Sequence, residues 1–258
     1  MKKNIVIYFI WTYVTLYLFL LAIGVTMLVA DTPWLIEIGI VLSSWSATFI
    51  FIMMFRRIYP NTKFLVFLKS LFKKRVRLSL ILVIIGIQSI LFTGVLISVY
   101  LIWGVPIYEQ VVSSGSALLL LFAYNLILGP LGEEIGWRGF VLNELQKKHS
   151  PLMSALLIGI VWGFWHTPLW FMSGYSGMAL MQYCLSFLSG IIAVSIIITA
   201  CYNLSNNLIV PIFIHQLFNF SLAIQIGDIL PILTVTSVLY VVIAVLFVLV
   251  NYKKCLLK

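Results

Sequence analysis

Gly129-Pro-Leu-Gly-Glu-Glu-Ile-Gly-Trp-Arg138 places two adjacent carboxylates and an arginine inside a chain that otherwise reads as membrane. A charge at mid-bilayer costs about 2.5–3.5 kcal/mol on insertion scales, so an unpaired one is hard to keep without a use. Adjacent like charges raise that cost unless one is neutralised. Arg138 follows Glu134 by four residues, one helical turn on and on the same face. It is the natural partner of Glu134, which leaves Glu133 the less neutralised carboxylate. Pro130 cannot donate a backbone hydrogen bond, and Gly129 and Gly132 flank it, so the helix is expected to kink or loosen just before the pair. Loosened backbone at membrane depth is tolerated where protein buries it or a water-filled cavity meets it. The plainer alternative for this stretch is a charge-paired packing motif between helices.

The surrounding composition sets the class. The 258 residues are 63% hydrophobic and 9% charged, with a mean hydropathy of +1.15, whereas a soluble domain carries about 25% charged residues. The expected fold is an all-α membrane protein, a single polytopic domain over residues 1–258. Eight apolar segments are long enough to cross the hydrocarbon: 5–30, 34–55, 78–103, 116–142, 151–172, 179–202, 207–226 and 229–251. The first is too long for a signal-peptide core and is read as an uncleaved span. The lysines and arginines, Arg138 apart, fall before span one, between spans two and three, after span four and after span eight. These segments share one side of an eight-span chain, while Asp31, Glu37, Glu109 and Asp228 fall on the other. By the positive-inside rule both termini are cytoplasmic, and the net charge of +9 reports membrane orientation rather than a nucleic-acid face. Between spans two and three, Phe64, Phe67, Leu68, Leu71 and Phe72 recur at helical spacing among lysines. That pattern predicts an amphipathic helix over 62–75 in the cytoplasmic headgroup layer, with a plain basic loop as the alternative. Cys184, Cys201 and Cys255 have neither paired nor metal-type spacing.

The other candidate groups sit on two further spans. His149 lies in a short basic loop and reads as solvated, whereas His166 follows Trp162 by one turn and precedes Pro168, which frees the Phe164 carbonyl. His215 and Asn219, four residues apart, share a helix face at about 6 Å. Counted from the cytoplasmic ends at 1.5 Å per residue, Glu133 lies about 15 Å deep, His166 roughly 22 Å and His215 roughly 12 Å. They occupy one layer, reachable from the cytoplasmic side. A lone intramembrane histidine is more often a hydrogen-bonded core residue than a catalyst, but two with an asparagine and a glutamate pair shift that balance. A partly desolvated glutamate is a better general base toward water, a histidine beside it can hold or help deprotonate that water, and a second histidine with an amide can donate to a developing oxyanion. That is a hydrolase layout. Zinc held by Glu133, His166 and His215 with an open fourth position is the alternative.

Glu133-Glu134-x-x-x-Arg138, an aromatic-x-x-x-His at 162–166 and His215-x-x-x-Asn219 resemble, in order and spacing, the three signature motifs of the CPBP family. This is the family of CAAX prenyl proteases and bacteriocin-processing or immunity proteins, also called the Abi family. The motif region covers about 115–225, and the first three spans are specific to nothing. The resemblance implies an eight-helix intramembrane protease with a cavity open to the cytosol, and the lysine- and isoleucine-rich composition is compatible with a bacterial cell membrane. Glu133 would be its water-activating base, assisted by His166, with His215 and Asn219 on the oxyanion and Glu134 and Arg138 supporting. It also implies a peptide or protein substrate within the lipid bilayer, no nucleic-acid partner and no required cofactor, and the family's own metal use has been disputed. Trp162 stands where the family usually has phenylalanine, a change expected to alter bulk beside His166 and no catalytic atom. Rival readings are a non-catalytic immunity or scaffold protein of the same fold, and a secondary transporter using the buried charges. The transporter lacks a visible repeat.

Overall fold

The computed structural model describes residues 2–29 and 32–257. Asp31 and Lys258, which enter the charge pattern, lie outside them. The first half of the chain runs α1 (Lys2–Val29), α2 (Pro33–Ser44), α3 (Ser46–Ile58), α4 (Phe64–Leu71), α5 (Leu78–Trp103) and α6 (Gly115–Leu128). The second half runs α7 (Pro130–Glu134), a π-helical segment Ile135–Leu142, α8 (Asn143–Leu145), α9 (Pro151–Trp165), α10 (Thr167–Phe171), α11 (Gly177–Ser205), α12 (Ile209–Ala223) and α13 (Ile229–Val250). Among the described residues the only extended pairing is the single bridge Val111–Gln225, so the protein is all-α. Among the described residues five helices are long and apolar enough to span a bilayer, and six spans result if α2 and α3, bent by 52°, count as one.

The eight expected spans differ from this in two places. The segments at 151–172 and 207–226 are carried by α9 and α12, each 15 residues and about 22 Å long, short of the about 30 Å of a hydrocarbon core. Pro168 stops α9 at Trp165, after which the chain turns at His166 into α10. The left-handed Asn206 ends α11, and a short turn delays the start of α12.

The bundle is organised around α11, which packs along α9 and α13. Small residues allow the close approach that helix association in lipid depends on. Ser195 Oγ donates to the Ala155 carbonyl at 2.9 Å, and Ser237 Oγ donates to the Ser186 carbonyl at 2.6 Å. The basic segments gather at one end. The loop between α11 and α12 meets the chain after α4, where the Leu208 amide donates to Leu71 O and the Asn207 side chain donates to the carbonyls of Phe72 and Lys74. The C-terminal tail joins them through Leu152 N to Leu256 O and Asn203 Nδ2 to Cys255 O. At the opposite end the α5–α6 and α12–α13 connections pair, with Val112 N donating to Ile224 O and Ile226 N to Gln110 O.

The amphipathic stretch forms α4, shorter than the expected 62–75, and Phe64, Phe67, Leu68 and Leu71 face the core while Leu65 and Val66 face outward. Phe67 packs on Phe51 and Phe55, and Phe51 stacks on Phe140 with ring centroids 5.0 Å apart. An aromatic core thus fills the basic half of the molecule.

Candidate active site

The break expected at Gly129-Pro130 is present. Gly129 caps α6 with φ −126° and ψ −80°, and Pro130 opens α7 at its first turn, where a missing amide costs nothing. The helix then widens into the π-helical segment from Ile135, a local irregularity often found at functional sites. This rearranged strip of backbone carries Glu133, Glu134 and Arg138 into the protein interior, where they are 4%, 0% and 0% exposed.

Glu134 is the hub of the charge pattern. Its Oε1 accepts from Arg138 NH1 at 2.8 Å, the pairing expected from the one-turn spacing, and also from His215 Nδ1 at 2.8 Å. The carboxylate therefore orients the imidazole, since Nδ1 must carry the proton that the oxygen accepts. His215 can then donate from Nε2 as well only as an imidazolium. The guanidinium of Arg138 also lies over the Trp162 ring, 4.5 Å from its centroid.

Glu133 forms no ion pair among the described residues. Its Oε2 accepts from the Trp162 indole N–H at 2.5 Å. This corrects the expectation that Trp162 alters only bulk beside His166, because a phenylalanine has no N–H to offer. Sequence reading passed over the contact because spacing along one helix says nothing about what its side chains meet on another. The signal was nonetheless present, as an indole among apolar residues needs an acceptor.

The other oxygen faces a different group of atoms. A methyl group placed on Gly129 would lie 2.9 Å from Asn219 Nδ2, 3.5 Å from Glu133 Oε1 and 3.6 Å from His215 Nε2. Gly129 thus floors a cradle on which a carboxylate oxygen, an amide nitrogen and an imidazole nitrogen converge from α7 and α12. Its role was not anticipated beyond loosening the helix.

His166 joins from α9 at the edge of this group. Its ring lies edge-on to Trp162, at a centroid distance of 6.1 Å, and the same indole meets His215 at 4.9 Å. His166 Nδ1 donates to the Trp162 carbonyl at 2.8 Å, so in the neutral ring Nε2 is an acceptor. The Phe164 carbonyl freed by Pro168 is taken up by the Thr167 hydroxyl. His149, read as solvated, is exposed. Among the described residues no three histidine, cysteine, aspartate or glutamate side chains gather closely enough to form a metal-binding group.

Burial around these groups is lopsided. Glu133 and His215 are buried, while His166 and Asn219 are half-buried.

Two comparisons with known proteins bear on the same region. Residues 114–221 match the family described as type II CAAX prenyl endopeptidase Rce1-like. A stretch of 101 residues is 34% identical to CAAX prenyl protease 2 of Methanococcus maripaludis. That stretch spans 37% of this chain and 37% of the relative's length.

Proposed function

We propose that this integral membrane protein is an intramembrane endopeptidase, a reading supported by the match of residues 114–221 to the type II CAAX prenyl endopeptidase Rce1-like family. Its substrate is a peptide or protein, and it breaks a peptide bond by adding water. The observation that carries this reading is the convergence of Glu133 Oε1, Asn219 Nδ2 and His215 Nε2 above Gly129. A base and two hydrogen-bonding groups around one small space are what amide hydrolysis requires.

In the proposed reaction a water held over Gly129 gives a proton to Glu133 Oε1 while its oxygen attacks the scissile carbonyl carbon. His166 Nε2, an acceptor in the tautomer set by the Trp162 carbonyl, steadies that water. The developing oxyanion takes hydrogen bonds from Asn219 Nδ2 and from the His215 imidazolium, whose charge Glu134 balances. Collapse breaks the C–N bond, and the proton on Glu133 passes to the departing amine. Arg138 holds Glu134 in place and touches no reacting atom. The lysine- and isoleucine-rich composition is consistent with a bacterial cell membrane as the setting.

The test is cleavage of a fluorogenic peptide library by the purified protein and its Glu133→Gln and His166→Ala variants, with and without a zinc chelator. Removing the base is expected to lower turnover by about 10²–10⁴-fold, and chelation is expected to leave the wild-type rate unchanged. Equal background rates from all three folded proteins would sink the endopeptidase and leave a non-catalytic immunity or scaffold role. Loss on chelation with rescue by zinc would replace the glutamate mechanism with a metal one.

A further inference from the structure

α5 and α13 pack against each other over one half of their length and part over the other. Away from the basic end, Val95, Val99 and Ile232 bury one another, with Leu239 packed on them. A methyl on Gly94 would meet the Leu239 side chain at 3.2 Å, and the Tyr240 hydroxyl donates to Gln88 Oε1. Toward the basic end the contact gives way. Val83 on α5 and Leu246 and Val250 on α13 are 55%, 48% and 71% exposed. The end of α11 and the chain after α13 complete the walls of a cavity of about 1100 Å³. None of Glu133, His166, His215 and Asn219 lines it.

The cavity is apolar along its length and cationic at one end. Leu80, Val83 and Ile87 on α5 face it together with Ile243, Leu246 and Phe247 on α13. From Arg77 to Ile87 the apolar wall runs about 15 Å along the helix, half of the about 30 Å hydrocarbon core. Arg75 and Arg77 precede α5, and Lys253 and Lys254 follow α13, so four exposed cations gather where both helices meet the basic side. No carboxylate lines the cavity, and none of the four forms an ion pair among the described residues.

The two lysines are held in place by a tied turn. Asn251 Oδ1 accepts from the Leu256 and Leu257 amides, and Asn251 Nδ2 donates to the Leu257 carbonyl. The Cys255 carbonyl accepts from Asn203 Nδ2, and the carbonyl of the fully buried Leu256 accepts from the Leu152 amide. This turn puts Asn251, Lys253 and Lys254 at φ of 39°, 51° and 54°, a left-handed conformation that residues other than glycine adopt infrequently. Backbone of this kind persists where its surroundings over-determine it, and it clusters at ligand clamps and switch regions.

From the parted helices, the cluster of cations and the tied turn we infer that this cavity holds one anionic phospholipid. The lipid belongs to the leaflet on the basic side, cytoplasmic by the positive-inside rule. Its phosphate lies among Arg75, Arg77, Lys253 and Lys254, and one acyl chain lies in the gap between α5 and α13. Basic pockets between transmembrane helices on this side favour acidic headgroups. The chain supplies the dispersion contacts that the parted helices cannot give each other. A soluble anion would answer the charges and leave the apolar wall empty, and a zwitterionic lipid would do the reverse. The inference does not depend on the endopeptidase reading.

The purified protein in nonionic detergent is titrated with phosphatidylglycerol and with phosphatidylcholine, each labelled with a fluorophore on one acyl chain, and binding is read by anisotropy. Phosphatidylglycerol is expected to saturate one site and to bind about tenfold or more tightly than phosphatidylcholine. Each cation near an acidic headgroup contributes about fivefold in affinity, so Arg77→Gln/Lys253→Gln is expected to weaken phosphatidylglycerol about 25-fold while sparing phosphatidylcholine. Arg56→Gln/Arg57→Gln removes the same charge from the end of α3, outside the cavity, and is expected to change neither. Leu246→Trp, which fills the apolar wall without altering charge, is expected to weaken both lipids. Superimposable melting curves in phosphatidylcholine nanodiscs are expected for all these proteins. If the Arg77/Lys253 pair shifts its curve, Arg75→Gln/Lys254→Gln takes its place. Equal affinity for the two lipids overturns the inference, as do equal losses from the α3 pair and the cavity pair, which would mean a diffuse basic surface. Binding untouched by Leu246→Trp, or displacement of the probe by glycerol phosphate at matched concentration, overturns it too.

Discussion

Gly129 shows how much a single residue can carry when its role is to leave space. Gly129→Ala would put a methyl 2.9 Å from Asn219 Nδ2 and within 3.6 Å of both Glu133 Oε1 and His215 Nε2, in the volume where water and carbonyl must sit. Its φ is negative, and the nearest atom is the end of the flexible Asn219 amide, so the fold should absorb the change by moving that side chain. The expected result is a loss of about 10²-fold in kcat, the scale of a misplaced reacting group, with an unchanged melting temperature. Trp162 makes the complementary case. Trp162→Phe keeps a ring under Arg138 and beside His215 but deletes the N–H that Glu133 Oε2 accepts. A hydrogen bond to a charged group contributes about 1.5–3 kcal/mol. We expect kcat to fall at least tenfold with KM little changed, and a variant as active as wild type would show that the indole merely fills space. The charged motif residues were legible from the sequence because charge in a membrane segment is costly. Gly129 and Trp162 were not, because their contribution lies in distances to other helices.

At the scale of elements, the α7 and π-helical stretch is where local sequence and tertiary packing meet. Pro130 dictated the break before α7, and the glycines after it permit close contact with the first helices. A methyl on Gly136 would fall 2.2 Å from the Tyr8 hydroxyl oxygen and 2.8 Å from the Ala47 carbonyl oxygen, and the Tyr8 hydroxyl itself donates to that carbonyl at 3.1 Å. Gly136→Ala should therefore cost about 1–3 kcal/mol through overpacking, seen as a lower unfolding temperature in detergent, and should disturb the strip that carries Glu134 and Arg138. An unchanged melting curve would mean that α1 and α3 can yield. The helical widening had no signature in the sequence, since it depends on how the neighbouring helices seat these glycines. The amphipathic face of α4 did have one, in the spacing of its phenylalanines, although the spacing could not name Phe51 and Phe55 as the surface that receives them.

The whole molecule is polarised along the bundle. One end is basic and aromatic, knitted by α4, the α11–α12 loop and the C-terminal tail; at the other the α5–α6 and α12–α13 connections pair. Asn207, 2% exposed, anchors the basic end by donating to the Phe72 and Lys74 carbonyls while its Oδ1 accepts from the Ile209 amide. Asn207→Ala leaves those carbonyls without that donor and should destabilise the protein by about 1–3 kcal/mol. Faster proteolysis within 63–77 in inside-out vesicles would report the loosened end. Protection equal to wild type would show that the apolar face of α4 suffices to hold it.

The sequence by itself determined the membrane class, the end of the bundle that collects positive charge and the partnership of Glu134 with Arg138. All of these follow from composition and from the fixed rise and turn of a helix. Only the tertiary structure decided which polar groups meet, that Trp162 reaches Glu133, and that Gly129 floors the space between Glu133, His215 and Asn219. The physical reason is that a helical pattern records position along and around its own axis. The lateral order of helices is set by packing between small and large side chains, in a solvent that rewards no apolar face over another.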